Sequence, residues 1–319
     1  MLPTISIFII DSPERLDPPT DTSLALMRES VRRGHRVGYA TLDGLRLEQG
    51  EPWAEIRAVE FESGRELFLP GAKEDLPLRR ADILHMRKDP PLDEEYLHAS
   101  YILDRLPPRV VQVNPSPALR TWCEKLIPLQ FPGMAPPTLV TRSSAQLLNF
   151  LRQQEKIVLK PMDDCSGRGI IALQRDDPGH LQAIDLATNQ GQRFVIGQRF
   201  LPQIAEGDKR VLLLGGEILG WVRRLPAAGE FRSNVNAGGR CVRCELTPSD
   251  RAICARLKPW LQRQKILLAG VDIVGTQVLE VNITSPSCLR EMNSLYGWSL
   301  ERTILDDLET RLNSRQQKK

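Results

Sequence analysis

No run in the 319-residue chain approaches the roughly 18 consecutive apolar residues of a membrane-spanning helix, so a helical membrane protein is not expected. The opening apolar run, Ile5 to Ile10, has no basic segment before it and stops at Asp11 after a strand's length, so it does not read as an export signal. Neither sign of charge dominates: 43 Lys and Arg against 40 Asp and Glu leave a formal charge of +3. The basic pairs Arg32-Arg33, Arg79-Arg80 and Arg223-Arg224 stand apart and read as solvated faces, not as the stripe that nucleic acid requires. Histidine is scarce, with four in all. Cys241-Val242-Arg243-Cys244 has C-x-x-C spacing, but no second Cys or His pair adjoins it, so a closed zinc site is not expected and the spacing reads as incidental. The six cysteines are scattered, which points to free thiols in a reducing cytoplasm. Cys288 reads as a small buried residue, not a nucleophile.

What is present is an ordinary globular composition, 41% hydrophobic and 26% charged, in a chain long enough for two or three subdomains. Ile5 to Ile10 reads as a buried strand, Thr22 to His35 as a helix with a hydroxyl residue at its start and Gly34 near its end, and Val37 to Ala40 as the next strand. This β-loop-α-β order predicts a parallel sheet without the G-x-G-x-x-G turn of a dinucleotide site. Strands at 82–86 and 110–114 close the first domain, the former delivering Arg87 at its carboxyl end, where open α/β sheets bind ligands. A helix from about Ala118 is expected to carry Trp122, Cys123 and Lys125, followed by a Pro- and Gly-rich linker at 132–137. Beyond it come strand 138–141, helix 144–153, strand 157–161 ending near Lys160, a small-residue turn, and strands at 170–174 and 194–201. Residues 208–214 pair with 217–222 about Gly215-Gly216, 225–240 reads as a long loop that is either a functional lid or disordered, and helices fall at 248–264 and 300–312.

The stretch from Gly270 to Glu291 carries the most chemistry. Two apolar runs flank Gly275-Thr276-Gln277, predicting a hairpin with a three-residue loop centred on Thr276. Asp272 then faces Glu280, and Asn282 shares the side of Glu280 by strand parity. Two readings stand together: a solvent-facing polar side of an edge hairpin, and a site where oxygen ligands hold a hard divalent cation.

Six blocks in order then carry a resemblance: Met86 to Pro91, Glu124 to Leu126, Leu159 to Pro161, Gly207 to Val211, Asn236 to Arg240 and Val281 to Pro286. Together they resemble prokaryotic glutathione synthetase, an ATP-grasp ligase family, over nearly the whole chain. The resemblance implies an α/β architecture: an N-terminal parallel-sheet domain, 1–122, followed by a two-subdomain ATP-grasp α+β fold, 123–319, with a central lid subdomain at about 138–200 and a C-terminal subdomain at about 201–319.

It also implies a reaction. A substrate carboxylate attacks the γ-phosphate of ATP, an amine then attacks the acyl phosphate, and positioned cations dominate catalysis. Asp272, Glu280 and Asn282 match the metal ligands for Mg²⁺, with Mn²⁺ as an alternative. Lys125, Lys160, Ser166, Gly167, Gln198, Arg199, Phe200, Leu201 and Asp208 match nucleotide contacts. Arg210 and Arg232 match catalytic positions, and Arg87, Asn234, Ser285 and Arg290 match substrate contacts. Arg224, Arg290 and Glu291 equally suit a salt-bridged surface. The turn Asp164-Cys165-Ser166-Gly167 has fewer glycines than the family usually places over the phosphates. The implied partners are γ-glutamylcysteine, glycine and ATP, with neither nucleic acid nor membrane, in a cytoplasmic homo-oligomer. A paralogue joining another acid and amine, and a catalytically weak nucleotide-binding homologue, remain as alternatives.

Overall fold

A computed structural model describes residues 3–163, 169–235 and 238–316. Three sheets follow one another along the chain.

The first has a parallel centre. Strand β1 (Ile5–Ile9) leads through helix α1 (Thr22–Arg32) to β2 (Arg36–Ala40). Asp21 starts that helix by accepting the Leu24 N–H at 2.8 Å. An antiparallel meander follows, made of β3 (Leu45–Glu48), β4 (Glu51–Glu60) and β5 (Leu69–Pro77). The chain then returns to the centre with β6 (Ile83–Met86), α2 (Glu94–Leu103), β7 (Val111–Val113) and α3 (Ser116–Thr121). β1 pairs in parallel with β2 and β6, and β6 with β7, while β4 extends the sheet antiparallel beside β2. The parallel core is as expected, but the sheet is mixed. Pro52, Glu55 and Arg57 break up the apolar pattern of β4 and hid the meander from a periodicity reading.

The second sheet comprises β8 (Thr138–Thr141), α4 (Ser144–Gln154), β9 (Lys156–Pro161), β10 (Ile171–Gln174), α5 (His180–Ala187) and β11 (Val195–Arg199), with its strands in the antiparallel order β10-β9-β11-β8. It has its own small core, in which Leu147, Leu151, Ile157, Leu159, Ile184 and Val195 meet.

The third comprises β12 (Asp208–Leu214), β13 (Glu217–Leu225), β14 (Arg240–Val242), α6 (Pro248–Arg263), β15 (Leu268–Val274), β16 (Gln277–Asn282), α7 (Leu289–Tyr296) and α8 (Leu300–Gln316), ordered β14-β13-β12-β15-β16. Thr247 and Asp250 cap α6 reciprocally. The core of this sheet is continuous with that of the first: Phe8 and Leu24 share a cluster with Leu212, Leu289, Ile304 and Leu308. The first and third sheets thus pack as one body and the second as a lobe with separate packing. A mixed α/β unit followed by two antiparallel α+β sheets is the fold class read from the sequence.

Local expectations needed correction. The helix expected to carry Trp122 to Lys125 is α3, which ends at Thr121. Trp122 is extended instead, its indole packed edge-on against Trp260 with ring centroids 5.0 Å apart and its Nε1 donating to Gln264 at 3.1 Å. Tertiary packing overrides the helical pattern there. Helices α5 and α7 and strand β14 were not anticipated, being short enough for turn residues to mask their periodicity. Among the described residues no helix is long and apolar enough to cross a membrane.

Candidate active site

The hairpin β15–β16 closes with a two-residue turn, Gly275-Thr276, so that Val274 pairs with Gln277. Gly275 sits at φ +60°, where a side chain is disfavoured. The expected three-residue loop is therefore incorrect. A bulge nevertheless leaves Leu279 without a partner and restores the pairing of Asp272 with Glu280 and of Gly270 with Asn282. One residue removed from the turn is returned by the bulge, and the parity survives.

Two side chains from outside the hairpin hold its open end. Asn114, buried beyond β7, donates through Nδ2 to the carbonyls of Leu268 and Ile283, both at 2.6 Å, and accepts from the Leu267 and Leu268 N–H groups at 2.8 and 3.0 Å. Glu124 Oε1 accepts from the Ile283 N–H at 2.6 Å and from the Thr284 N–H and hydroxyl, each at 2.8 Å. These bonds satisfy backbone groups that the end of a ladder leaves open.

Charge at the hairpin is organised by two buried guanidinium groups. Arg210 donates from Nε to Asp272 Oδ1 at 2.5 Å and from Nη2 to Oδ2 at 3.0 Å. Arg224 Nη2 lies 2.9 Å from Asp272 Oδ2, and its fork also donates to both oxygens of Asp208. Burial opposes ionisation of Asp272, but Arg210 and Arg224 outweigh it and hold the carboxyl below the usual carboxylate range. Glu280 behaves oppositely: burial, then the Asp272 charge, push it up to about 7. Asn282 Nδ2 donates to Asp272 Oδ2 at 3.4 Å and to the Gly270 carbonyl at 3.3 Å.

The residues set for a metal thus stand together. Asp272 Oδ1 keeps a lone pair beyond its single arginine bond, whereas Oδ2 is already met by Arg210, Arg224 and Asn282, and Glu280 is held up by burial and then by the Asp272 charge beside it. Asp272, Glu280 and Asn282 suit a hard divalent cation, which would relieve that charge.

Two clefts meet at this hairpin. One, between the second and third sheets, is a narrow slot with apolar walls from Val158, Ile170, Leu201, Ile204, Phe231 and Leu279. Lys160, from the end of β9, projects into it and donates to Gln198 Oε1 at 2.8 Å; burial lowers its ammonium from the ordinary value while Glu280 works the other way. Lys125 Nζ, also buried, donates to the Pro161 carbonyl at 2.6 Å. Arg199, Phe200, Asp208, Arg232 and Asn234 border the slot as well. Lys156 Nζ lies 4.1 Å from the centre of the Phe200 ring, and Arg232 pairs with Glu230 at 2.5 Å. Ser166 and Gly167, with the rest of the turn from Asp164, and Asn236 lie outside the described residues.

The other cleft, about 410 Å³, opens between the first and third sheets. That volume lies within the range of small-molecule sites. Arg87 reaches it from the end of β6, donating from Nε to Ser23 at 3.0 Å and from Nη2 to the Pro286 carbonyl at 3.2 Å. Its Nη1 is buried without a hydrogen-bond partner among the described residues. Ser285, bonded to Asp89, together with Asn234, Arg210, Glu280 and Asn282, lines the same cleft. Arg290 is not gathered here; its guanidinium donates to the Pro18 carbonyl and faces Glu66 at 3.9 Å.

The surface reading of Arg224 is wrong: only 3% exposed, it links Asp208 to Asp272. Extending the 208–222 ladder from its turn without a bulge sets Asp208 against Arg223. A bulge at Leu212/Leu213 moves the pairing to Arg224 and turns that side chain inward. Glu124, Asn114 and Ser23 were also missed as site residues, since each acts across more than 60 residues of sequence.

Two antiparallel sheets facing each other across an apolar slot, with basic side chains inside it and carboxylates at its mouth, are the two lobes of an ATP-grasp ligase. Solved structures share that fold: D-cycloserine synthetase DcsG superposes with a TM-score of 0.64 at 15% identity, covering 95% of this chain and 99% of its own. The ATP-grasp ligase PsnB, complexed with a minimal precursor, Mg and ADP, gives 0.61 at 15% identity, over 96% of this chain and 98% of its own. Sequence comparison narrows the class. The model of the prokaryotic glutathione synthetase N-terminal domain matches residues 5–120, and that of its ATP-grasp domain matches residues 124–297. Glutathione synthetase of Thermosynechococcus vestitus is 38% identical over 309 residues, covering 93% of this chain and 97% of the relative. That of Vibrio cholerae is 36% identical over 311 residues, covering 96% and 97%. The chain belongs to the prokaryotic glutathione synthetase family, and is an ATP-dependent ligase of the glutathione-synthetase type.

Proposed function

We propose that the chain joins the carboxylate of γ-glutamylcysteine to the amine of glycine. The observation that carries this reading is the meeting of an apolar, lysine-bearing slot and a polar cleft at one acidic hairpin, with a buried arginine N–H left over on the cleft side. The slot suits the adenine ring and sugar, bordered by Gln198 to Leu201 and Asp208, with Lys125 and Lys160 directed at phosphate oxygens. The cleft suits a small acid whose far carboxylate Arg87 Nη1 would bind. The acid's reacting carboxylate attacks the γ-phosphorus of ATP, the bond to the β-phosphate oxygen breaks and ADP departs. The amine then attacks the acyl carbon, and phosphate leaves as the carbon–oxygen bond breaks.

Negative charge accumulates at both steps, and Arg210, locked by Asp272 and lining the cleft, is placed to stabilise it. Asp272, Glu280 and Asn282 would hold Mg²⁺, or Mn²⁺ as an alternative, which when bound would neutralise charge on the triphosphate. Arg232 and Asn234 belong to a loop that shields the acyl phosphate from water, and Ser285 contacts the incoming amino acid. Arg290 serves the substrate indirectly, by holding the loop at Pro18. Residues 1–122 serve the acid, and 123–319 serve the nucleotide, with 138–200 as the closing lobe. A cytoplasmic setting suits the five free cysteines among the described residues, and a homo-oligomeric assembly completes the proposal.

The test is ADP release with γ-glutamylcysteine and glycine together, against controls lacking each. ADP formed only with another acid would overturn the substrate assignment, and none with any amino-acid panel would overturn the reading itself.

A further inference from the structure

The C-x-x-C spacing does not form one site. Cys241 pairs with Arg224 in the β13–β14 ladder. Cys244, three residues on, belongs to a different environment: its carbonyl accepts from Trp221 Nε1 and the Tyr296 hydroxyl, each at 2.9 Å. An odd step along extended chain points the two side chains to opposite faces. Cys241 meets residues that no sequence spacing connects to it. Its Sγ, the Sγ of Cys288 and a carboxylate oxygen of Glu291 all lie within 4.8 Å of one another.

We propose that Cys241, Cys288 and Glu291 form a binding site for a thiophilic divalent cation of the Zn²⁺ class, separate from the Asp272–Glu280–Asn282 hairpin. The donors come from three places: β14, the residue before α7, held at φ +77°, and the first turn of α7. Tetrahedral zinc with bonds of about 2.3 Å to sulfur and about 2.1 Å to oxygen sets its donors roughly 3.5–3.8 Å apart, so closing this triad takes about 1 Å of side-chain movement. Glu291 Oε2 is buried with no hydrogen-bond partner among the described residues, an orphan acceptor that a cation would satisfy.

The local charges agree with this geometry at Glu291 and Cys288, while Cys288 and then burial push the Cys241 thiol up, so a cation binding there displaces its proton. Burial and then Cys288 push Glu291 up to about 7, while the Cys241 thiol and, beyond it, Arg210 and Arg224 bring Cys288 down to about 6. Two thiolates and a carboxylate around a dication carry one net negative charge, which the neighbouring guanidinium groups balance. Cys288 and Glu291 line the 410 Å³ cleft, so the fourth position opens towards it and is filled by water. Sulfur donors select a thiophilic ion over Mg²⁺, which keeps the two sites chemically distinct. Occupancy ties β14 to the start of α7.

The experiment is an anaerobic Co²⁺ titration of the full chain, stripped by chelator and kept reduced with a phosphine. A thiolate-to-cobalt charge-transfer band saturating at one equivalent, and displaced by one equivalent of Zn²⁺, is expected. Cys241→Ser and Cys288→Ser abolish the band, Glu291→Gln weakens binding about tenfold or more, and Cys244→Ser and Glu280→Gln leave it intact. Because Cys241 is half-buried and outside the ligase machinery, Cys241→Ser retains the fold and the turnover measured with Mg²⁺ in the absence of Zn²⁺. Absence of the band in the wild type, its persistence in Cys241→Ser, or its loss in Cys244→Ser or Glu280→Gln would each overturn the proposal.

Discussion

Replacing Arg224 with Met tests the electrostatic frame of the site. Arg224 is 3% exposed, and its two carboxylate partners, Asp208 and Asp272, are 4% and 2% exposed. Methionine fills much of the same volume but leaves Asp208 without the fork that holds both its oxygens. Asp272 keeps its two bonds to Arg210, so the loss falls mainly on Asp208. Removing one partner of a buried ion pair costs about 3–5 kcal/mol, because the remaining charge is left uncompensated. The assay is urea unfolding at neutral pH, with Asp208→Asn and the double variant completing a cycle. If unpaired charge is the cause, the double variant is more stable than Arg224→Met alone. The carboxyl of Asp208 in Arg224→Met then has a folded-state value above its unfolded one, so part of the lost stability returns as pH falls. A cost below about 1 kcal/mol, the scale of an exposed pair, would refute this reasoning.

Four further outcomes follow from the same geometry. With divalent ions chelated, Glu280 at about 7 in the fold against 4.5 ordinarily contributes stability that is complete below about 4.5 and lost as pH rises through 7. Thermal midpoints should fall over that window by the equivalent of roughly 3 kcal/mol at most, and Glu280→Gln should flatten the slope. Glu280→Gln and Asn282→Ala should each lower Mg²⁺-dependent turnover by orders of magnitude with circular dichroism unchanged; wild-type turnover at the same Mg²⁺ demand would remove them from the metal site. Asn114→Ala should cost about 2–4 kcal/mol in urea unfolding, since it leaves buried N–H and carbonyl groups of Leu267, Leu268 and Ile283 unpaired. Arg87→Ala should raise KM for the acid substrate about tenfold to a hundredfold with KM for ATP nearly unchanged; an equal rise in both would place Arg87 elsewhere in function.

The pairing within the acidic hairpin was legible because strand parity is a local property: the common side of Asp272, Glu280 and Asn282 follows from alternation along a single stretch, and the bulge at Leu279 happened to preserve it. Lys160 and Arg87 were legible for a similar reason, each lying at a strand's carboxyl end, and the parallel core and antiparallel lobes followed from apolar runs and turns. What only the tertiary structure decided involves partners remote in sequence. A single bulged residue, Leu219, opposite Leu212 and Leu213 turned Arg224 from surface to core. Packing against Trp260 pulled Trp122 out of its helix. Asn114 and Glu124 became clamps only once β15 and β16 arrived beside them, more than 150 residues later. Cys241 found Cys288 and not Cys244, because side-chain direction along extended chain is set by parity, while the identity of the facing residue is set by which distant element packs there.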